Sequence, residues 1–182
     1  LHVRSRRQRQ MCIRDRARGG GAEFVAAADM TFAAIGRAGL AQCEALMGII
    51  PGGGATQYLS QRMTRGRALE VILGADLVDA QTAERYGWVN RALPADELEA
   101  FVRRIAHNIA ALPPGVIAAA KKAIPPTDLR SGLHREHEAW ADLFALAAAE
   151  KLIRGGLQAG AQTKAGERNL ERLLRDLDAQ AD

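Results

Sequence analysis

At 182 residues, 48% hydrophobic and only 4% aromatic, the chain suits a single domain with a sizeable core built from closely packed helices, and an aromatic-rich β-sandwich is disfavoured. Its net charge of +4 divides unevenly: residues 1–18 hold seven arginines and one aspartate, whereas the other 164 residues carry 18 basic and 20 acidic groups. No apolar run is long enough to span a membrane, and a nucleic-acid role would rest on the first tenth of the chain alone, where no aromatic residue interleaves the arginines.

That leader, "LHVRSRRQRQMCIRDRAR", lacks the amphipathic apolar stripe of a transit peptide. The string "RQRQMCIRDR" is similar to translated sequencing-adapter DNA, and residues 1–18 are therefore set aside from the fold as an artefactual or disordered leader. Cys12 falls within it, which leaves Cys43 alone and excludes an internal disulfide framework. With no signal-peptide pattern, a reducing cytoplasm is the expected location.

After the leader, the glycine run of "RGGGAEFVAAAD" leads into a helix expected over 22–28. "MTFAAI", 30–35, reads as a short buried strand. The Gly- and Pro-containing segment 36–57 reads as loop with short strand pieces, and a helix begins near Gly54, with Pro51–Gly54 shaping the approach. An amphipathic helix covers 65–76, closed by Gly74, and a shorter one covers 79–87 with Asp79 as N-cap and Gly87 past its end. A strand follows over 88–93, then helices over 94–112 and 113–124, the second stopped by Pro125–Pro126. Two further helices are expected near 128–153 and 163–179. Strands come early and helices late, which predicts a sheet layer followed by a helical tail.

Two features could carry chemistry. Glycines directly before a helix let the backbone approach a ligand and leave the first helical N–H groups free, an arrangement that suits a phosphate or a developing oxyanion. The phosphate-loop and dinucleotide spacings are both absent here. Glu23, in the first turn, is either a residue matched to the helix dipole or a catalytic carboxylate. Glu44 stands alone among Ala, Leu, Met, Gly and Ile, either on the wet side of a strand or held where its pKa is raised. Two converging carboxylates can divide acid and base work, one giving a proton while the other activates water.

Taken in order, "GGGAEFVAAADMTFAA", "QCEALMGIIPGGGATQYL" and "RALEVILGADLVDAQTAERYGWVNRALP" resemble the crotonase superfamily, the enoyl-CoA hydratase/isomerase family, over residues 19–124. The resemblance implies an α/β fold, the C-terminal part of a crotonase-type ββα spiral (19–124), followed by a helical tail (125–182) that packs on neighbouring subunits in a homo-trimer or hexamer. It implies an acyl-CoA substrate and no metal or redox cofactor, CoA being part of the substrate; neither nucleic acid nor membrane is an expected partner. Gly20 would donate one backbone N–H to the thioester oxygen, with Gly19, Gly21, Pro51 and Gly52 around the substrate. Glu23 would hold the water that attacks the β-carbon of a 2-enoyl-CoA, and Glu44 would deliver a proton to the α-carbon. A double-bond isomerase using Glu44 alone, another acyl-CoA reaction of the family, and a non-catalytic assembly protein are the alternatives.

The chain departs from the family pattern in two places. Glu23 and Glu44 are 21 positions apart, one more than is common in hydratases, with the extra residue expected in "AAIGRAGLAQ"; Cys43 stands where the family often has Pro. The strands, second oxyanion N–H and CoA adenine pocket of the family's N-terminal half have no counterpart, so the chain reads as a fragment. Other clusters receive plain readings: His134, His137 and Glu138 as a solvated helix face, Lys121–Lys122 as a surface pair, "RYGW" (85–88) as core and turn, and the Leu170, Leu173, Leu174, Leu177 stripe as a helix face seeking a partner. The purified 182-residue chain is expected to give no crotonyl-CoA hydration; clear turnover would overturn the fragment reading.

Overall fold

The structure, a computed structural model, describes residues 10–124 and 127–178, as backbone alone at 10–12 and 178. Residues 1–9 of the leader and Pro125–Pro126, expected to stop a helix, lie outside the described residues. In chain order the elements are β1 (Gln10–Ile13), β2 (Arg16–Arg18), α1 (Gly20–Ala26), β3 (Met30–Ala34), β4 (Gly39–Ala41), a 3-10 turn (Glu44–Met47), α2 (Ala55–Arg62), α3 (Arg65–Gly74), β5 (Val78–Asp79), α4 (Ala80–Tyr86), β6 (Arg91–Leu93), α5 (Leu98–Ala110), α6 (Val116–Ala123), α7 (Arg130–Phe144), α8 (Ala147–Gln158), α9 (Lys164–Arg168) and α10 (Leu170–Asp178). The expected order of strands then helices is what the structure contains. No helix among the described residues is long and apolar enough to cross a membrane.

The strands form two three-stranded sheets. In one, β3 is central and parallel to both β1 and β6; in the other, β4 is parallel to β2 and antiparallel to β5. Parallel neighbours need long crossovers, and α1 lies within the connection from β1 to β3 and that from β2 to β4. Its inward residues Ala22, Val25 and Ala26 meet Phe32, Ala33, Leu40, Leu59, Val71, Trp88 and Leu98 in one core. Alanines at these facing positions allow close approach of helix and strand, while Trp88 fills the centre with no exposed surface. Phe32 meets Phe101 of α5 edge to face, with ring centroids 5.3 Å apart.

The exclusion of residues 1–18 from the fold is corrected for their second half. Arg16, Ala17 and Arg18 stand opposite Gly39, Leu40 and Ala41 across the β2–β4 ladder, and residues 10–13 stand opposite 30–33. Ladder pairing is a backbone property, so arginines are tolerated wherever their guanidinium groups find partners. Arg18 donates to both carboxylate oxygens of Glu171 at 2.6 and 2.9 Å, its side chain only 8% exposed. This bidentate pair ties the start of the chain to α10.

Other expectations shift by local backbone chemistry. Helix α1 starts at Gly20 rather than residue 22, with Gly19 making the turn at a positive φ of +49°. The left-handed residue closing α3 is Ala75, not Gly74. Asp79 caps α4 as expected, accepting from the Thr82 N–H at 2.8 Å, and Gly87 (φ +88°) ends it. The strand at 88–93 is ladder-paired only from Arg91. The helix expected over 128–153 divides at the extended Leu146, and the one over 163–179 divides at Asn169. The leucine stripe of α10 finds its partner within the chain: Leu170 and Leu174 are buried, and Leu173 and Leu177 pack beside them with Cys43, Leu46 and Met47.

Candidate active site

Glu23, Glu44 and the glycine run come together although they belong to three segments. Glu23 lies in the first turn of α1, on its packed side. Its Oε1 accepts from the Gly53 N–H at 2.7 Å and the Ala55 N–H at 3.3 Å. These are amides of the turn that opens α2, so the side chain crosses from one helix start to another. Gly53 must be glycine for this approach, since a Cβ there would overlap the Glu23 carboxylate. Glu44 begins the 3-10 turn and is 7% exposed. With its amide nitrogen turned to the carboxylate, the fully buried Gln42 donates to the two Glu44 oxygens at 3.1 and 3.0 Å.

The glycine backbone borders both acids. A Cβ on Gly19 would stand 3.3 Å from Glu44 Oε1, and one on Gly20 would stand 4.0 Å from Glu23 Oε2. Gly19 donates its own N–H to Ala41 at 3.1 Å, which anchors the turn to β4, whereas no acceptor among the described residues takes the N–H of Gly20. Gly21 faces elsewhere, into a surface groove it shares with Ile13, Arg16, Arg18, Phe24 and Glu167. Pro51 is fully buried, and Gly52 backs onto the Trp140 indole of α7. The structure thus gathers Glu23, Glu44, Gly19 and Gly20, turns Gly21 toward a separate groove and buries Pro51.

A third carboxylate joins them, and sequence reasoning missed it. Glu136, 4% exposed, reaches from α7 to the start of α2. It accepts from the Gly54 N–H at 2.6 Å, from the Thr56 N–H at 3.0 Å, and from the Thr56 hydroxyl. The "HREHE" cluster drew attention to His134, His137 and Glu138, which are exposed; Glu136 is its inward member. The signal was present: Leu129, Gly132, Leu133, Glu136 and Trp140 follow helical spacing, which puts an acid on the apolar face of its helix. Gln42 was missed as well, being two positions from the acid it serves.

Burial acts on the carboxyls of Glu44 and Glu136. Burial pushes the Glu44 carboxyl up to about 7, and the negative charges of Glu23 and Glu136 add to the rise, against the lowering effect of its own backbone N–H. Burial also raises Glu136, opposed by its Thr56 and Gly54 hydrogen bonds, with Glu23 adding to the rise. Burial pushes the neighbouring Cys43 thiol up to about 12, so it stays protonated and inert. The site therefore holds an acid that retains its proton close to neutrality, a second carboxylate oriented by two backbone amides, and beside them the Gly20 N–H, with no acceptor among the described residues. That combination can polarise a carbonyl while moving protons at the adjacent carbons.

The sequence profile of the family described as enoyl-CoA hydratase/isomerase matches residues 12–165. The chain belongs to that family. It is 34% identical over 131 residues to the short-chain-enoyl-CoA hydratase of Clostridium acetobutylicum, covering 70% of this chain and 50% of that one. It is 33% identical over 144 residues to the crotonyl-CoA hydratase of Syntrophomonas wolfei, covering 79% and 54%. A crystal structure from Streptomyces avermitilis, whose enoyl-CoA hydratase assignment is itself provisional, superposes with a TM-score of 0.92 at 64% identity, covering 93% of this chain and 62% of that one. An enoyl-CoA hydratase structure from Mycobacterium avium subsp. paratuberculosis superposes with a TM-score of 0.70 at 26% identity, covering 77% and 60%. The chain spans about half the length of the curated relatives it matches. The match beginning at residue 12 agrees with the pairing of β1 and β2 in this crotonase-type fold.

The raised carboxyl of this crotonase-family chain has a consequence for stability. A carboxyl whose folded pKa lies above its unfolded value favours the fold while protonated, and that contribution is lost as pH rises through the folded value. For Glu44 the loss runs from about 4.5 to about 7, on the order of 3 kcal/mol. Thermal melts should therefore show Glu44→Gln near the parent's Tm at pH 5 and above it at pH 8. An equal difference at both pH values would contradict the buried, protonated carboxyl.

Proposed function

We propose that the full-length protein carrying this chain adds water across the double bond of a 2-enoyl-CoA thioester. The observation that carries this reading is the pair of carboxylates, Glu23 and Glu44, bordering the same glycine backbone at an open helix start. The relatives named as enoyl-CoA hydratases support the substrate class. In this reading the thioester oxygen takes the Gly20 N–H, and the positive end of α1 favours the negative charge that develops there. Glu23 is held by the Gly53 and Ala55 amides, with its second oxygen left to hold a water.

The water oxygen bonds to the β-carbon as one of its protons passes to Glu23. The π-electron pair moves toward the α-carbon and thioester oxygen. Glu44 then gives its proton to the α-carbon, and transfer of a proton from Glu23 to Glu44 restores the starting state. A Glu44 carboxyl pushed up to about 7 holds that proton at neutral pH, which is what a general acid requires. The scheme calls on no redox cofactor, since water addition is not a net redox change, and on no metal, since the Gly20 N–H polarises the carbonyl; CoA arrives as part of the substrate.

Paired substitutions in the full-length protein test this reading. Glu23→Gln and Glu44→Gln should each lower kcat for crotonyl-CoA hydration by at least about 100-fold, the range typical of a lost general acid or base. Hydration that survives Glu23→Gln would overturn the two-acid scheme, and double-bond isomerisation that survives it in a protein with no hydration would favour a one-acid isomerase.

A further inference from the structure

The turn that opens α2 presents four successive backbone N–H groups, and they alternate between two carboxylates. Gly53 and Ala55 donate to Glu23, whereas Gly54 and Thr56 donate to Glu136. Glu136 lies 82 positions from Gly54 along the chain and plays no part in the hydration scheme. Its grip is nonetheless tight: both oxygens are used, and the Thr56 hydroxyl adds another donor. Around it, α7 presses on the same turn, with Trp140 over Gly52, Leu133 over Gly54 and Gly132 against Gln57.

The mechanical link follows from peptide geometry. Each amide is planar and shares a Cα with the next, so the orientation of one N–H constrains its neighbours. Gly54 sits in a left-handed conformation (φ +110°), with its own N–H given to Glu136 on one side of its Cα and the Ala55 N–H given to Glu23 on the other. Holding the Gly54 and Thr56 amides therefore fixes where the Gly53 and Ala55 amides point. Those two in turn fix the plane of the Glu23 carboxylate.

We propose that Glu136 is a positioning residue for the hydration reaction: by holding alternate amides of the Gly53–Thr56 turn, it sets the orientation in which Glu23 presents its free oxygen to water. The inference rests on the reading that Glu23 handles that water. It differs from a purely stabilising cap in a measurable way. A cap that only keeps the protein folded affects every reaction at the site equally. A positioning residue acting through Glu23 affects water addition and spares proton exchange at the α-carbon, which depends on Glu44 and the Gly20 N–H.

The experiment compares Glu136→Gln with the parent full-length protein on two reactions, crotonyl-CoA hydration and exchange of the α-proton of butyryl-CoA in D2O followed by NMR. Glutamine keeps the size of the side chain but turns an amide nitrogen toward an N–H donor. Hydration kcat should fall by about 10- to 100-fold, the scale of an ångström-level misplacement, with KM essentially unchanged and the exchange rate near that of the parent. Hydration and exchange falling together, or neither falling, would overturn the proposal. If Glu136→Gln does not fold, Thr56→Val, which removes one donor to Glu136 and leaves the amides in place, is read in the same way, with a smaller loss of hydration expected. Glu23→Gln is the reference: if it hydrates like the parent, the hydration scheme itself fails, whereas if it is inactive and Glu136→Gln matches the parent, only the positioning role fails.

Discussion

The start of α2 is the constraint on which the rest of the site depends. A helix leaves its first N–H groups without intrahelical acceptors, and here two buried carboxylates from distant elements take them. Glu23 arrives from α1 and Glu136 from α7. Neither acid could be buried at reasonable cost without donors, and the amides would be costly to bury without acceptors. The glycines at 53 and 54 follow from the same requirement. A side chain at 53 would occupy the space of the Glu23 carboxylate, and the left-handed backbone at 54 favours glycine.

The other half of the site is held separately. The Gly19 N–H given to the Ala41 carbonyl of β4 fixes the Gly19–Gly20 backbone beside Glu44. Glu44 is buried by the 3-10 turn, which α8 and α10 cover. Its carboxyl therefore lies in a poorly solvated place, facing two other acids, and keeps its proton to about pH 7. Gln42 offers N–H groups to both of its oxygens and so limits its rotation. Glu23 and Glu136 accept from backbone amides of the α2 start, whereas the Gln42 side-chain amide reaches the Glu44 carboxylate.

Much of this was legible in the sequence where the signal was local. Asp79 and Gly87 bracket α4 as their cap chemistry predicts, because a cap is decided within a few residues. Glu44 was picked out as an acid in an apolar run, and it is buried. The misses share one cause, the dependence on partners far along the chain. Glu136 has no reading of its own beside His134, His137 and Glu138, because its donors lie 80 and 82 positions away. The strands at 10–18 were hidden by their arginines, since the acid that accommodates Arg18 is 153 positions further on. The α10 stripe reads as a face seeking a partner, and the surface it covers, around Cys43 and Met47, is in the same chain.

The most direct measurement is a crystal structure of the full-length protein with an unreactive acyl-CoA bound. The thioester oxygen should lie about 3 Å from the Gly20 nitrogen, with the acyl α-carbon beside Glu44 and the β-carbon beside the free oxygen of Glu23. An acyl group seated elsewhere, with Gly20, Glu23 and Glu44 making no contact to it, would contradict the assignment of this three-carboxylate junction as the active site.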